Sequence, residues 1–187
     1  MKLCKCAVVL FAAAVAGALQ AEPFKVSFDD DSSFYSMEFR WVKEGGEAVG
    51  KVENVAASDH ALGGNAVKIS HSADLKEWDK FRITPKKQFY TCEPGRKYKV
   101  TAWFKGDATG MAQMQMMSEW QKDRKQWFKT ISFQVTPEWK LYAFEFTVPA
   151  AAPDSTVSNK RFSLIFGLFQ NSLKELYVKN VVWEEQI

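Results

Sequence analysis

Lys97-Tyr98-Lys99-Val100-Thr101-Ala102-Trp103-Phe104-Lys105 decides the fold, because apolar and polar residues alternate along it almost without a break. Successive side chains of a β-strand point to opposite faces, so a period of two sends Tyr98, Val100, Ala102 and Phe104 to a core. Lys99, Thr101, Trp103 and Lys105 then face the other way. Just upstream, Pro94-Gly95 combines a fixed φ with a permissive one, which is what a tight turn into a strand requires.

Working outward, the same alternation recurs. Tyr142, Phe144, Phe146 and Val148 form an inward row, with Ala143, Glu145 and Thr147 outside, and Phe162, Leu164, Phe166 and Leu168 form another. Strands are predicted over 24–28, 34–41, 66–70, 79–83, 97–105, 110–120, 127–135, 140–148, 161–168 and 175–184, separated by Gly, Pro, Asn and Asp clusters. Helical periodicity is nearly absent. Many short strands at this spacing predict an all-β fold, a β-sandwich of the jelly-roll kind. The stretch 150–159 lacks apolar periodicity and reads as a surface loop, and no repeat, linker or second domain is visible. Trp139, after Pro137-Glu138, is expected to cap one end of the core.

The chain opens with Lys2 and Lys5, followed by an uncharged apolar run from Ala7 to Leu19. That is the layout of a secretory signal peptide, and the run falls short of the roughly 20 residues a bilayer-spanning helix needs. Residues 1–21 are therefore expected to be removed, with cleavage after Ala21 preferred over Ala18, leaving 22–187 as one secreted domain, extracellular or periplasmic. Cys4 and Cys6 precede the apolar run, so no lipid anchor is expected. Cys92 is then the one cysteine left, which excludes an internal disulfide and leaves an intermolecular bridge or, as the plainer reading, a buried, inert thiol. Loss of Lys2 and Lys5 takes the formal charge from +3 to +1, which argues against nucleic acid or another polyanion held by charge. Seven Trp exceed the one or two indoles that such a core absorbs, and the surplus is expected on a surface or in a cleft.

A series of motifs carries a resemblance. It runs through Asn65-Ala66-Val67-Lys68-Ile69, Trp78-Asp79-Lys80-Phe81-Arg82-Ile83, and Glu93-Pro94-Gly95-Arg96-Lys97-Tyr98 with the strand that follows. It continues through Gln113-Met114-Gln115, the stretch from Phe133 to Phe146, Leu164-Ile165-Phe166-Gly167 and Leu176-Tyr177-Val178-Lys179-Asn180-Val181. In this order they resemble carbohydrate-binding modules with the galactose-binding-like jelly roll, the kind appended to xylanases and cellulases. The resemblance implies that fold and a polysaccharide or glycan partner. It also associates an acidic residue at the position of Lys179 with a structural calcium. Lysine does not ligate a hard cation, and Asp29, Asp30 and Asp31 show no spaced partner set, so calcium is in doubt and no cofactor is expected.

Sugars offer an apolar C–H face and a rim of hydroxyls, so their sites combine aromatic plates with amide or guanidinium groups. In the strand through Met111 to Met117, Ala112, Met114 and Met116 face the core while Met111, Gln113, Gln115 and Met117 share the opposite side. Two amides side by side suit a hydroxyl pair. Arg82 supplies planar donors, and Trp78, Trp103, Trp120 and Trp127 are the candidate rings, the last two flanking a charged hairpin connection. Against these roles stand plainer ones: the glutamines as solvated positions and Arg82 paired with Glu145, while Met111 and Met117 either pad the floor of a cleft or contact another chain.

His60 and His71 have no partner at metal-ligand spacing and no Gly-x-Ser-x-Gly motif accompanies them, so nucleophilic and metal catalysis are not expected. A carboxylate pair for glycoside hydrolysis is a matter of spatial separation, and nothing in the sequence points to one. Two functions remain. The first is a non-catalytic carbohydrate-binding module, and the second is a structural or protein-interaction β-sandwich of the cell envelope that buries the same aromatic face in a protein partner.

Overall fold

The computed structural model describes residues 23–26, 29, 35–37, 50–71, 83–85, 90–93, 95–118, 128–148, 161–168 and 172–186. Twelve strands lie in these stretches: β1 (Phe24–Val26), β2 (Tyr35–Met37), β3 (Gly50–Ala56), β4 (Asn65–His71), β5 (Ile83–Pro85), β6 (Tyr90–Thr91), β7 (Lys97–Gly106), β8 (Gly110–Ser118), β9 (Phe128–Val135), β10 (Lys140–Thr147), β11 (Arg161–Leu168) and β12 (Glu175–Gln186). One sheet has the order β10-β7-β12-β4-β3, with β1 also on β12, and a second has the order β6-β11-β8-β9. β2 and β5 form a separate pair. Every pairing is antiparallel, as in a jelly-roll β-sandwich.

The core lies between the two larger sheets, and the alternation predicts its members. Tyr98, Val100, Ala102 and Phe104 of β7 are buried, as are Ala112, Met114 and Met116 of β8 and Leu164, Phe166 and Leu168 of β11. Phe104 is the central contact. Its ring meets Phe133 edge-on at 4.8 Å and Phe166 at 5.4 Å, so one side chain joins β7 to both β9 and β11. A second aromatic knot forms toward the other end, where Tyr98 stacks on Phe146 at 5.7 Å and Trp183 meets Phe146 at 5.0 Å. Trp183 is thus a core indole.

β3 and β6 lie outside the predicted strands, and of the strand predicted over 79–83 only Ile83, the first residue of β5, falls among the described residues. β3 is an edge strand with most residues half-buried, so Gly-Lys-Val-Glu-Asn-Val-Ala shows no clean alternation. β12 is not the even strand its sequence suggests. Its register on β7 shifts between Lys179 and Val182, and Asn180 takes a φ of 47°, a region that asparagine tolerates better than most residues. The bulge changes the parity, so Leu176 and Val178 point inward before it and Val181 and Trp183 after it. At the entry to β7, Gly95 has a φ of 78° and Arg96 N–H donates to the Glu93 carbonyl at 3.2 Å, the tight turn predicted there.

Candidate functional site

β8 is flanked by β11 and β9 and supplies the two glutamines. Their side lies opposite Met114 and Met116, as the period of two requires, yet neither is solvated: Gln113 is 6 % exposed and Gln115 8 %. The expectation of an open sheet face is corrected on this point. Alternation decides which side of a sheet a residue takes, whereas what lies over that side is set by chain far away in sequence.

The surroundings of Gln113 are polar and incompletely paired. It sits directly across from Ser132 of β9, and its Nε2 donates to Ser132 Oγ at 3.1 Å. Its Oε1 is buried and meets no donor among the described residues. A buried amide oxygen left so costs about 1–3 kcal/mol, which a hydroxyl brought by a ligand would offset. On the other flank Gln113 pairs with Gly167, which has no side chain, while Gln115 lies across from Thr130. Thr130, Ser132 and Gln134 thus extend the glutamine side onto β9. These three residues were not singled out from the sequence, although Ile131, Phe133 and Val135 alternate with them and mark their side.

Trp103 is not part of this group. It is opposite Phe104 on β7, on the outer side of the six-stranded sheet, while Gln113 and Gln115 are on the outer side of the four-stranded sheet. The core separates them, which corrects the expected grouping. Arg82, Trp78, Trp120 and Trp127 lie outside the described residues.

Around Trp103 an aromatic and charged cluster is complete in itself. The β3–β4 turn brings His60 against Trp103 at 4.7 Å and Trp139 at 5.2 Å, both edge-on. Trp139 Nε1 donates to Asp59 at 3.0 Å, and Lys105 pairs with the same carboxylate. Tyr177 donates to Glu175 at 2.5 Å, and Lys68 lies 2.5 Å from Glu175. Lys105 and Trp139 hold the Asp59 carboxyl below its ordinary value. Burial, and secondarily the charge of Lys179, lower His60, whose Nδ1 accepts from Leu62 N–H at 3.1 Å. Trp139 therefore packs on the outer side of a sheet and does not cap the core.

A family model described as a carbohydrate binding domain matches residues 26–166. The chain belongs to this carbohydrate-binding family. Among solved structures it is similar to a CBM4 module, with 14 % identity, 89 % of this chain and 96 % of that one covered and a TM-score of 0.58. It is also similar to the CBM22-2 xylan-binding domain of Paenibacillus barcinonensis Xyn10C, with 15 % identity, 87 % and 99 % covered and a TM-score of 0.59. A third is the family 11 carbohydrate-binding module of Clostridium thermocellum in complex with a β-1,3-1,4-mixed-linked tetrasaccharide, with 12 % identity, 87 % and 95 % covered and a TM-score of 0.55. These likenesses show the fold, a jelly-roll β-sandwich. No curated protein sequence matches the chain.

In this carbohydrate-binding domain Cys92 is free and buried, and burial raises its thiol far above the ordinary range, so it is held as an unreactive thiol. Among the described residues no three His, Cys, Asp or Glu side chains converge as metal ligands.

Proposed function

We propose that the chain is an exported, non-catalytic module that binds a β-linked polysaccharide along the outer side of the four-stranded sheet. Membership of a carbohydrate-binding family supports the general reading, and the xylan- and mixed-linkage-glucan-binding neighbours suggest the backbone class. One observation carries the location. Gln113 holds one amide end on Ser132 while its Oε1 stays buried without a donor among the described residues, next to Gln115 and opposite a glycine. A sugar hydroxyl donates to such an oxygen and accepts from a neighbouring amide, which matches the two-sided chemistry of a glycan rim.

Rings from Trp78, Trp120 and Trp127, with Arg82, would complete the site in this proposal. One ring covered by a sugar face contributes roughly 1–2 kcal/mol, so two rings with a few hydrogen bonds give about micromolar to millimolar binding. That range suffices to keep a protein near a polymer. Affinity electrophoresis of the folded domain in gels containing xylan, mixed-linkage glucan or mannan tests it. Retardation in xylan or mixed-linkage glucan is expected, and migration at the control rate in every gel would sink the reading.

A further inference from the structure

Lys179 stands on β12 where the family resemblance leads one to expect an acidic residue and a structural calcium, and the residues present do not fit that ion. Lys179 is 2 % exposed, and its Nζ donates to the carbonyl of Gly63 and, at 3.3 Å, to that of Asn65. The carboxylate of Asp29 closes in beside it and accepts from Asn65 N–H at 2.5 Å. A Cβ built on Gly64 would lie 2.6 Å from Asp29 Oδ1 and 3.0 Å from Lys179 Nζ, so these two groups crowd the same small space under the turn. Oxygen atoms from a carboxylate and two backbone carbonyls around one positive centre are what a hard cation takes.

We propose that Lys179 is a tethered cation: its ammonium occupies the oxygen cage formed by Gly63, Asn65 and Asp29, and so makes the domain independent of bound calcium. The bulge that follows Lys179 belongs to the device, since it lets one lysine leave the sheet toward the β3–β4 turn while Val181 and Trp183 return to the core. Gly63 and Gly64, with φ of 57° and 75°, bend the turn so that the carbonyls of Gly63 and Asn65 reach the ammonium. A buried ammonium is stable only when its donors are met, and the carbonyls of Gly63 and Asn65 accept from it here, with the Asp29 carboxylate on the same side of Gly64.

Thermal unfolding in excess EDTA and in millimolar calcium chloride tests the proposal. The unmodified domain is expected to melt at the same temperature in both. Lys179→Met is expected to lower the midpoint by about 10 °C, because it leaves the Gly63 and Asn65 carbonyls without the ammonium that donates to them. Lys179→Asp is expected to melt low in EDTA and to recover in calcium. A wild-type midpoint that falls in EDTA or rises with calcium overturns the proposal, as does Lys179→Met melting with wild type or Lys179→Asp indifferent to calcium. Reductive methylation of the folded wild-type domain, read by peptide mass, serves if the variants do not fold. Lys179 is expected to stay unmodified, and its modification at the rate of exposed lysines overturns the cage.

Discussion

The two outer sides of the sandwich differ in how far their polar groups are paired. On the six-stranded sheet Trp103, His60, Trp139 and Tyr177 form an aromatic patch in which Asp59 is shared by Lys105 and Trp139 and Glu175 by Lys68 and Tyr177. On the four-stranded sheet the described polar side chains are amides and hydroxyls beside Met111, and the Gln113 oxygen is left over. Aromatic content alone would have selected the first side as the place for a ligand. In the proposed reading pairing favours the second, because a buried acceptor without a donor is relieved by binding whereas a closed network gains nothing from it.

The largest expected effect touches both sides equally. Phe104 joins the sheets, so Phe104→Ala should cost about 3–5 kcal/mol in chemical denaturation, and a loss near zero would show that the sheets do not share this wall. Next comes the glutamine side. Gln113→Ala should weaken polysaccharide binding about tenfold by titration calorimetry while changing stability by less than about 1 kcal/mol. Undiminished affinity would move the site elsewhere. Trp139→Phe sharpens the contrast from the opposite direction: it removes the bond to Asp59 and should cost about 1 kcal/mol of stability with affinity unchanged. Loss of affinity in that variant would place the ligand on the aromatic patch instead.

The smallest effect concerns pH. His60 is held below its ordinary 6.5, so near that pH the unfolded chain binds a proton that the folded chain refuses. Its contribution to stability is complete above 6.5 and is lost as pH falls from 6.5 toward the depressed folded value. The depressed Asp59 and Glu175 act in the same direction at lower pH, each losing its contribution as pH falls through its own folded value. His60→Gln should therefore flatten the dependence of melting temperature on pH just below 6.5, and an unchanged slope would mean that His60 is not shielded from water.

The inward rows of β7, β8, β10 and β11 were legible in the sequence because alternation is a local signal that holds along each of these strands. β3 was not, since an edge strand half-exposed on both sides has no reason to alternate. For the candidate site, the side shared by Gln113 and Gln115 was legible but their burial was not, and Trp103 was grouped with them although the core lies between. A sequence shows that a residue leaves the core, but it does not show toward which of two outer sides.

By itself, then, the sequence determined an all-β chain, the side of each regular strand that faces inward, the turn at Gly95 and a resemblance to sugar-binding modules. Only the tertiary structure decided that β8 and β7 belong to different sheets, that an amide oxygen at Gln113 is buried without a donor among the described residues, and that Lys179 reaches back across the chain to Gly63. The physical reason is range. A period of two is written by neighbours along one strand, whereas sheet order and the meeting of Lys179 with Gly63 depend on pairings between segments far apart in the chain.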